Sequence, residues 1–344
     1  MIASWQHTLE TQGARIINGQ VADFGAAEAE PRQAVQRPIV ADLSHLNLIQ
    51  FVGADAQSFL QGQLSNDVRL LQGGNVQYTS YNSPKGRMLA NGLLWQSAPD
   101  SYVLQLPASM REAIQKRLTM FVLRAKVKVS DVSDAWVRLG VGGVDAETVV
   151  AQVVGDFPAT LYALAPFSHG NGMRLPGNNF ELLIAPDQAQ AVWNQLTAQA
   201  QPVGSTCWDA LLIRAGIPTL LPATQEQFIA QMLNYELIDG VNFKKGCYPG
   251  QEIIARTQYL GKPKRRMYLA HIACVDLPQP GDEIFSADLP QQASGMIVNA
   301  AAATNDGFDV LAVIQISSAQ AHALHLKSPQ GPVLTLQALP YLVP

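Results

Sequence analysis

Residues 243–256 concentrate side chains that could do chemistry. The run is Phe243-Lys244-Lys245-Gly246-Cys247-Tyr248-Pro249-Gly250-Gln251-Glu252-Ile253-Ile254-Ala255-Arg256. A helix is predicted from Gln251 to Leu260, because Gly261 and Pro263 follow as stop signals. Cys247 is therefore expected on a tight loop just before a helix N-terminus, where free N–H groups and a partial positive charge favour a thiolate and attract anions.

Two interpretations of this stretch remain open on the residues alone. In the first, the adjacent lysines strengthen the positive field and Cys247 is reactive. In the second, the stretch is a surface turn that buries an inert cysteine, since most cysteines behave as small hydrophobic residues. In either case Glu252 and Arg256, spaced i,i+4 in the favourable order, are expected to pair.

Length and composition place the chain among soluble globular proteins. Its 344 residues suit two or three domains, and it is 48% apolar and 15% charged. The net charge of −4 gives no global field for nucleic acid, so no direct nucleic-acid partner is expected. No window is long and apolar enough to span a bilayer, and Met1 to Glu10 do not resemble a secretory signal.

The three cysteines, at positions 207, 247 and 274, lie far apart and form no C-x-x-C pair. Such a sparse, odd set predicts a reducing compartment, the cytoplasm by default, without a disulfide framework. It also argues against a self-contained zinc or iron–sulfur site, which needs clustered ligands, so no metal ligands are assigned.

The order of predicted strands and helices indicates an α+β fold. From Leu46 to Ala215 a β-α-β-β-α order recurs, which suggests two ferredoxin-like units with helices on sheets. Capping boxes at 109–112 and 187–190 are expected to open one helix in each unit. From Met267 onward no convincing helix is predicted, and short apolar runs between turn residues indicate a small β-barrel.

The predicted division of the chain has four parts. They are an N-terminal extension without a role (1–37), a first α+β unit (38–135), a second α+β unit that carries the 243–256 stretch (136–262) and the barrel (263–344). The basic run from Gly261 to Arg266 marks the last boundary, as a solvated linker or, alternatively, as a phosphate-binding patch.

The run from Lys245 to Glu252 resembles the signature of the YgfZ-type folate-binding proteins, relatives of the glycine-cleavage T-protein, an aminomethyltransferase. The resemblance extends in weaker form from about Pro38 to the C-terminus. It implies a three-domain ring around a central folate cavity, with a β-barrel last and the first two domains interleaved in the sequence. It also implies tetrahydrofolate as the cofactor and iron–sulfur client or assembly proteins as partners.

The resemblance assigns the chemistry to Cys247 and Lys245, with the lysine favouring the thiolate and attracting carboxylates. Gly246 and Gly250 would let the loop approach its neighbours, and Glu252 would brace it. The implied folate contacts are Trp208, Gln231, Asn234, Lys245, Gly246, Tyr248, Glu252 and Arg256.

Some of these positions have a second interpretation. Trp208 suits stacking on a flat pterin, but its helical periodicity also fits a core aromatic residue. Gln231 and Asn234 fit a ligand contact and bracing of the loop equally well. Asp67 is expected to hold a loop by an Asx-turn.

Four positions depart from the family pattern. Leu46 stands where the family has another tryptophan, and Arg214 replaces a folate-contacting glutamate. Arg214 would alter pterin recognition or pair with the carboxylates of the folate tail. Ala90 and Asn91 replace the adjacent aspartates of the T-proteins, and neither can act as a carboxylate base. These losses argue against a functional aminomethyltransferase.

The leading hypothesis is therefore a tetrahydrofolate-binding protein that assembles or repairs iron–sulfur clusters of client enzymes, including tRNA-modifying ones, with a reactive Cys247. A folate-dependent one-carbon transferase is one alternative, and a thiol redox or scaffold protein is another. The sequence leaves open whether the chain catalyses any reaction.

Overall fold

The computed structural model describes residues 1–34 and 36–343. The helices are α1 Ala3–Thr11, α2 Glu30–Gln33, α3 Ala56–Gln61, α4 Ala108–Met120, α5 Ala146–Val154, α6 Ala189–Thr197, α7 Ser205–Arg214, α8 Gln251–Tyr259 and α9 Ile316–Ala321. The strands are β1 Arg15–Ile17, β2 Gln20–Asp23, β3 Ile39–Asp42, β4 Leu46–Val52, β5 Val76–Asn82, β6 Met88–Ala98, β7 Ser101–Pro107, β8 Lys128–Asp131, β9 Val137–Gly142, β10 Leu164–Phe167, β11 Gly170–Leu175, β12 Asn179–Ile184, β13 Gln201–Val203, β14 Arg265–Ile272, β15 Glu283–Ser286, β16 Gly295–Ala302, β17 Phe308–Gln315, β18 Leu324–Leu326 and β19 Val333–Gln337.

One sheet contains five strands in the order β5-β6-β7-β4-β8. Successive side chains of a strand point to opposite faces. In β4, Ile49 and Phe51 accordingly pack in a core with α3 and α4, whereas Leu46 and Leu48 face the core at the centre of the molecule. Because both faces are covered, β5 and β7 are buried along their whole length.

The other large sheet has the order β10-β11-β12-β9-β3-β13, and α5 and α6 cover one of its faces. Strand β3 pairs antiparallel with β9 and parallel with β13. This strand falls within the 38–135 segment that the sequence assigns to the first unit, yet it belongs to the second sheet. Its pairing joins segments far apart in the chain, which no local pattern records. The boundaries at 38, 136 and 263 stay a prediction.

The N-terminal residues pack against the rest of the fold. The Trp5 indole Nε1 donates a 2.7 Å hydrogen bond to the Asp42 carboxylate, and its ring meets Trp193 edge-on at 5.6 Å. A carboxylate oxygen of the buried Glu30 accepts a hydrogen bond of 2.8 Å from the backbone N–H of Gly204. The expectation of an extension without a role is therefore wrong, because Trp5 and Leu9 remove apolar surface from water on the second sheet.

The last quarter of the chain forms a closed barrel in the order β14-β17-β16-β15-β18-β19, which confirms the predicted β-barrel. Helix α9, between β17 and β18, was not expected from the sequence. Helix α7 connects the barrel to the sheets: Arg214 Nε donates to a carboxylate oxygen of Asp309 on β17 at 3.0 Å. Arg214 is thus engaged inside the protein.

Both predicted capping boxes are wrong. Helix α4 begins at Ala108 with Pro107 as its N-cap, and α6 begins at Ala189, each without a side-chain cap. The backbone N–H of Ala108 instead donates to the carbonyl of His45 at 2.9 Å. A free N–H group at the start of α4 is therefore hydrogen-bonded to a residue distant in sequence, instead of to a side-chain cap.

None of the helices within residues 1–34 and 36–343 combines the length and apolar character needed to cross a membrane. In the same residues no group of three or more His, Cys, Asp or Glu side chains is placed to hold a metal ion.

Candidate functional site

The signature loop, residues 243–250, precedes α8 as predicted, and Gly250 fixes its end. Gly250 is the N-cap of α8 and has a φ of +78°, which a glycine adopts without strain. A Cβ at Gly250 would lie 2.5 Å from the carbonyl oxygen of Ser83 and 2.6 Å from the Cα of Gly86. The loop thus packs backbone against backbone on the turn between β5 and β6.

Gly246 has no comparable constraint. A Cβ there would meet no atom within 4 Å, and Gly246 is not among the positive-φ glycines. No contact within the described chain therefore requires a glycine at this position, contrary to the expectation that Gly246 lets the loop approach its neighbours.

Lys245 turns into the protein and is only 6% exposed. Its Nζ donates to the backbone carbonyls of Leu64 and Asn66, and it lies 5.0 Å from the centroid of the Tyr248 ring. Burial lowers the pKa of Lys245 to about 8. The ammonium therefore ties the loop to the segment after α3, and among the described residues no hydrogen bond or ion pair joins it to Cys247.

Cys247 is the exposed thiol of the three cysteines. Cys207 is buried, and burial raises its pKa to about 12. Cys274 is half-buried, and burial likewise raises its pKa. Cys247 is therefore not buried, contrary to the second interpretation of this stretch, and its reactivity stays a prediction.

Two further residues of the predicted site lie on the surface of α8. Glu252 and Arg256 are both exposed, and no ion pair forms between them in the part of the chain that the structure describes. The expected i,i+4 pair is therefore absent there, and neither side chain braces the loop by an ion pair.

Gln231 and Asn234 are fully buried and hold the two elements that follow the loop. The amide of Gln231 donates to the carbonyl of Ile254 in α8 at 2.7 Å, and that of Asn234 donates to the carbonyl of Met267 in β14 at 2.9 Å. The buried Arg266 adds a 2.8 Å hydrogen bond to the Gln231 carbonyl and an ion pair with Glu236. These contacts support bracing, and they make Arg266 part of the fold instead of a solvated linker.

Trp208 forms a wall of a cleft at the centre of the molecule. It is 1% exposed and lies on α7, and the cleft has an empty volume of about 440 Å³, part of it open to solvent. Leu46, Tyr78, Gln105 and Glu181 line the same cleft. The two sheets and α7 thus bring residues from distant parts of the chain to one cavity.

Three of the residues that line this cleft carry buried polar atoms without partners. In the described residues, the Trp208 indole Nε1, the Glu181 Oε1 and the Gln105 Oε1 are buried and make no hydrogen bond. The other carboxylate oxygen of Glu181 accepts a 2.9 Å hydrogen bond from Gln105 Nε2. Unpartnered buried polar atoms carry a desolvation cost that a ligand with complementary groups would offset.

Glu181 was not singled out from the sequence. Burial raises the pKa of its carboxyl, while the Gln105 hydrogen bond and the charge of Arg138 act in the opposite direction. The available signal was a single carboxylate within the apolar strand Phe180–Ile184, because an unpaired charge is rarely buried without a reason.

An adjoining cleft shares Leu46 and Leu212 with the first and reaches the barrel at Asn299. His45 and Asp209 lie on its wall, with His45 Nε2 3.3 Å from an Asp209 oxygen. Burial alone would lower the pKa of His45, but the neighbouring Asp209 carboxylate more than offsets this and the pKa is raised.

Ala90 and Asn91, which replace the adjacent aspartates of the T-proteins, lie in different parts of the fold. Ala90 belongs to the core under α3 and α4. Asn91 lines the central cleft, but its amide donates to the carbonyl of Pro218 at 2.7 Å and accepts from the N–H of Leu220 at 2.9 Å. Asn91 therefore fixes the chain that follows α7.

The structure does not place all of the predicted residues together. Trp208 lines the central cleft. Neither Cys247 nor any other predicted folate contact lines it. Tyr78 connects the two regions, because it also lines a second cleft that includes Phe243 and Lys244 of the signature loop.

The overall architecture matches the fold of the glycine cleavage T-protein. The aminomethyltransferase T of Bartonella henselae superposes with a TM-score of 0.79 over 98% of this chain and 97% of its own, at 17% identity. Residues 5–174 match the family described as the GCVT N-terminal domain. The α+β fold with a last β-barrel, predicted from the sequence, is thereby confirmed.

More similar sequences identify the family within that superfamily. The tRNA-modifying protein YgfZ of Sodalis glossinidius is 30% identical over 302 residues, which covers 86% of this chain and 90% of the relative. The protein of the same name from Yersinia pseudotuberculosis is 28% identical over 297 residues, with 86% and 89% covered. The chain belongs to the YgfZ family.

Proposed function

We propose that this protein binds a reduced folate in the central cleft and acts in the cytoplasm in tRNA modification. The observation that carries the proposal is that Trp208, Glu181 and Gln105, which line one cleft, each carry a buried polar atom without a partner. Membership of the YgfZ family, whose members carry the name tRNA-modifying protein, supports the biological role.

The chemistry of these residues fits the pterin of tetrahydrofolate. The pterin is flat and carries adjacent N–H donors and a carbonyl acceptor on its edge. The carboxylate of Glu181 can accept from the donors, and the apolar walls of Leu46 and Trp208 suit the ring faces. Glu181, Trp208 and Gln105 would therefore hold the ring, and the adjoining cleft would leave a path for the tail.

Within tRNA modification, the specific role we propose is the maintenance of iron–sulfur clusters in client enzymes, including those that modify tRNA. The resemblance of residues 245–252 to the YgfZ signature supports it, together with the exposure of Cys247. In this role Cys247 meets a partner at the surface, while Lys245 anchors its loop and Gln231 and Asn234 hold α8 and β14, which follow it.

Titration with tetrahydrofolate tests whether the protein binds folate in the central cleft. We expect a saturable change in tryptophan fluorescence that is lost in Trp208→Phe and kept in Trp136→Phe, since Trp136 does not line the central cleft. No tetrahydrofolate-dependent change at millimolar ligand, or its retention in Trp208→Phe, would contradict the proposed site.

Activity of an iron–sulfur enzyme in cells that lack the native protein tests the role of the loop. We expect Cys247→Ala to fail to restore activity at normal protein level, whereas Cys274→Ala restores it, because Cys274 lies outside the loop. Lys245→Ala should fail through loss of the loop's support, with a lower melting temperature as its mark. Full rescue by both Cys247→Ala and Lys245→Ala would mean that neither the thiol nor the buried lysine is needed for the proposed role.

A further inference from the structure

A second cleft, here called the loop-side cleft, opens beside the signature loop. It is lined by Asn66, Leu70, Asn75, Val76, Gln77, Tyr78, Thr160, Leu161, Tyr162, Asp239, Val241, Asn242, Phe243, Lys244 and Tyr259. Its empty volume is about 1320 Å³, part of it open to solvent. The proposed folate cleft does not use these residues, apart from the shared Tyr78.

An aromatic pair forms one wall of the loop-side cleft. The rings of Phe243 and Tyr259 meet edge-on, with their centroids 5.9 Å apart. Tyr259 is 68% exposed although it lies in the last turn of a helix whose Ile254 is fully buried. A supported but exposed ring is a suitable platform for stacking a flat partner.

Hydrogen-bonding groups lie in the same cleft. Gln77 is 8% exposed, and its amide Nε2 is buried without a hydrogen-bond partner in the described chain. Asp239 lines the cleft with an exposed side chain. A free amide donor and a carboxylate acceptor are the groups that read the carbonyl and amino substituents of a nucleobase edge.

The segment from residue 244 to 266, which contributes Lys244 and Tyr259 to this cleft, has a charge opposite to that of the whole chain. Residues 244–266 contain seven lysines and arginines and one glutamate, whereas the net charge of the protein is −4. Lys245 and Arg266 are buried and engaged. The remaining cations of this segment are Lys244, Arg256, Lys262, Lys264 and Arg265, and the first four of these are exposed.

We propose that the loop-side cleft binds an unpaired nucleotide of a single-stranded RNA. The base would stack on Tyr259 and meet Gln77 and Asp239, and the phosphates would lie against Lys244 and the other cations of residues 244–266. An acidic protein surface would satisfy the cations but would leave the buried amide of Gln77 and the aromatic wall unexplained. This proposal departs from the sequence-based expectation of no nucleic-acid partner, because a net charge does not record a basic segment confined to one part of the chain.

Fluorescence anisotropy with a labelled, unstructured 12-nucleotide RNA tests this proposal on the full chain. Tyr259→Ala, at an exposed position, should weaken binding by about 10-fold or more, the usual effect of removing one stacked base. Gln77→Leu should weaken binding without lowering the melting temperature, because the wild-type amide is already unpartnered. A DNA strand of the same sequence shows whether the ribose contributes, and binding of either strand supports the site.

The contribution of the exposed cations to RNA binding is tested by two double variants with the same change in charge. Lys244→Glu with Arg256→Glu should reduce the slope of log affinity against log salt by about 1.4, or 0.7 for each lost phosphate contact. Lys116→Glu with Lys128→Glu makes the same charge change at exposed positions that do not line the cleft, and should leave binding unchanged. Equal loss in both double variants would overturn the proposal.

Three other outcomes would also overturn it. They are no binding of the RNA at 50 mM salt with about 100 μM protein, full binding by Tyr259→Ala, and equal competition by a duplex of the same length. The tetrahydrofolate response of the same variants is measured in parallel. Its retention in Tyr259→Ala separates a failure at the loop-side cleft from a failure of the proposed folate site.

Discussion

The indole of Trp208 lies directly on the backbone of Gly140, so that a Cβ at Gly140 would come within 2.5 Å of the indole Cε3. Gly140 is in β9, and its partner in the neighbouring strand β12 is Glu181. The absence of a side chain at Gly140 therefore lets the indole of α7 approach the sheet beside the carboxylate. This contact sets the shape of the proposed folate site.

Gly140→Ala should displace the indole and weaken tetrahydrofolate binding. The added methyl group overpacks a buried contact, which costs about 1–3 kcal/mol in the free energy of unfolding. Urea denaturation and the fluorescence titration measure the two effects. Gly74→Ala is the control, since a Cβ there meets no atom within 4 Å. Unchanged affinity in Gly140→Ala would show that the position of Trp208 does not matter for the ligand.

The two glycines of the signature should respond differently to alanine. Gly250→Ala forces a side chain into the left-handed region and against Ser83 and Gly86, and we expect a loss of about 2 kcal/mol or more. Gly246→Ala should change stability by less than about 0.5 kcal/mol. Thermal unfolding of both variants decides this. A stable Gly246→Ala that fails in the cell-based assay would place a partner or ligand at Gly246.

Glu181→Gln should weaken tetrahydrofolate binding by about 10-fold to 100-fold, because it removes a charged acceptor from the proposed pterin contacts while keeping the shape. Burial raises the pKa of Glu181, and the donors of the pterin require its ionised form. Affinity of the wild type should therefore rise with pH through that pKa and then level off. Calorimetric titration across pH measures it, and an equal pH dependence in Glu181→Gln would rule out this carboxyl as the cause.

Lys245→Met should reveal how much the buried ammonium lowers the free energy of unfolding. A lysine whose pKa is lowered from 10.5 to about 8 releases its proton in the folded state first. The unfolded state then holds more protons between these pH values, so wild-type stability should rise with pH in this window by up to about 1.4 kcal/mol per pH unit. Urea denaturation between pH 7.5 and about 10 tests this.

The comparison with Lys245→Met isolates that residue. Below pH 8 the burial cost is fully present, and the difference between wild type and variant should be constant. Above it, the wild type should gain relative to Lys245→Met. A difference that does not change with pH would contradict the lowered pKa.

Features set by short stretches of sequence could be predicted. Helix α8 follows Gly250 as expected, and Asp67 accepts from the backbone N–H of Arg69 at 3.1 Å, which confirms the Asx-turn. The Arg69 side chain also bonds this carboxylate and holds its pKa at about 2. Glycine conformation and Asx-turns depend on a few adjacent residues, so their chemistry is visible in the sequence.

The placement of polar side chains could not be predicted in the same way. Lys245, Gln231 and Asn234 carry groups that serve equally for a ligand or for a backbone carbonyl, and only the packing of α8 and β14 shows which carbonyls they meet. Trp5 likewise looked unconstrained until Asp42 and Trp193 were placed beside it. Hydrogen-bond partners far apart in the chain leave no periodic signal.

The sequence by itself determined the signature loop, the helix that follows it, and the α+β and barrel classes, because local periodicity and turn residues encode them. Tertiary structure alone decided that Glu181 and Trp208 share one cleft and that Cys247 stays exposed while Lys245 turns inward. It also decided that Tyr259, Gln77 and Lys244 line a second cleft. Such groupings depend on how sheets and helices pack. The free energy of that packing is shared among many contacts between residues far apart in the chain.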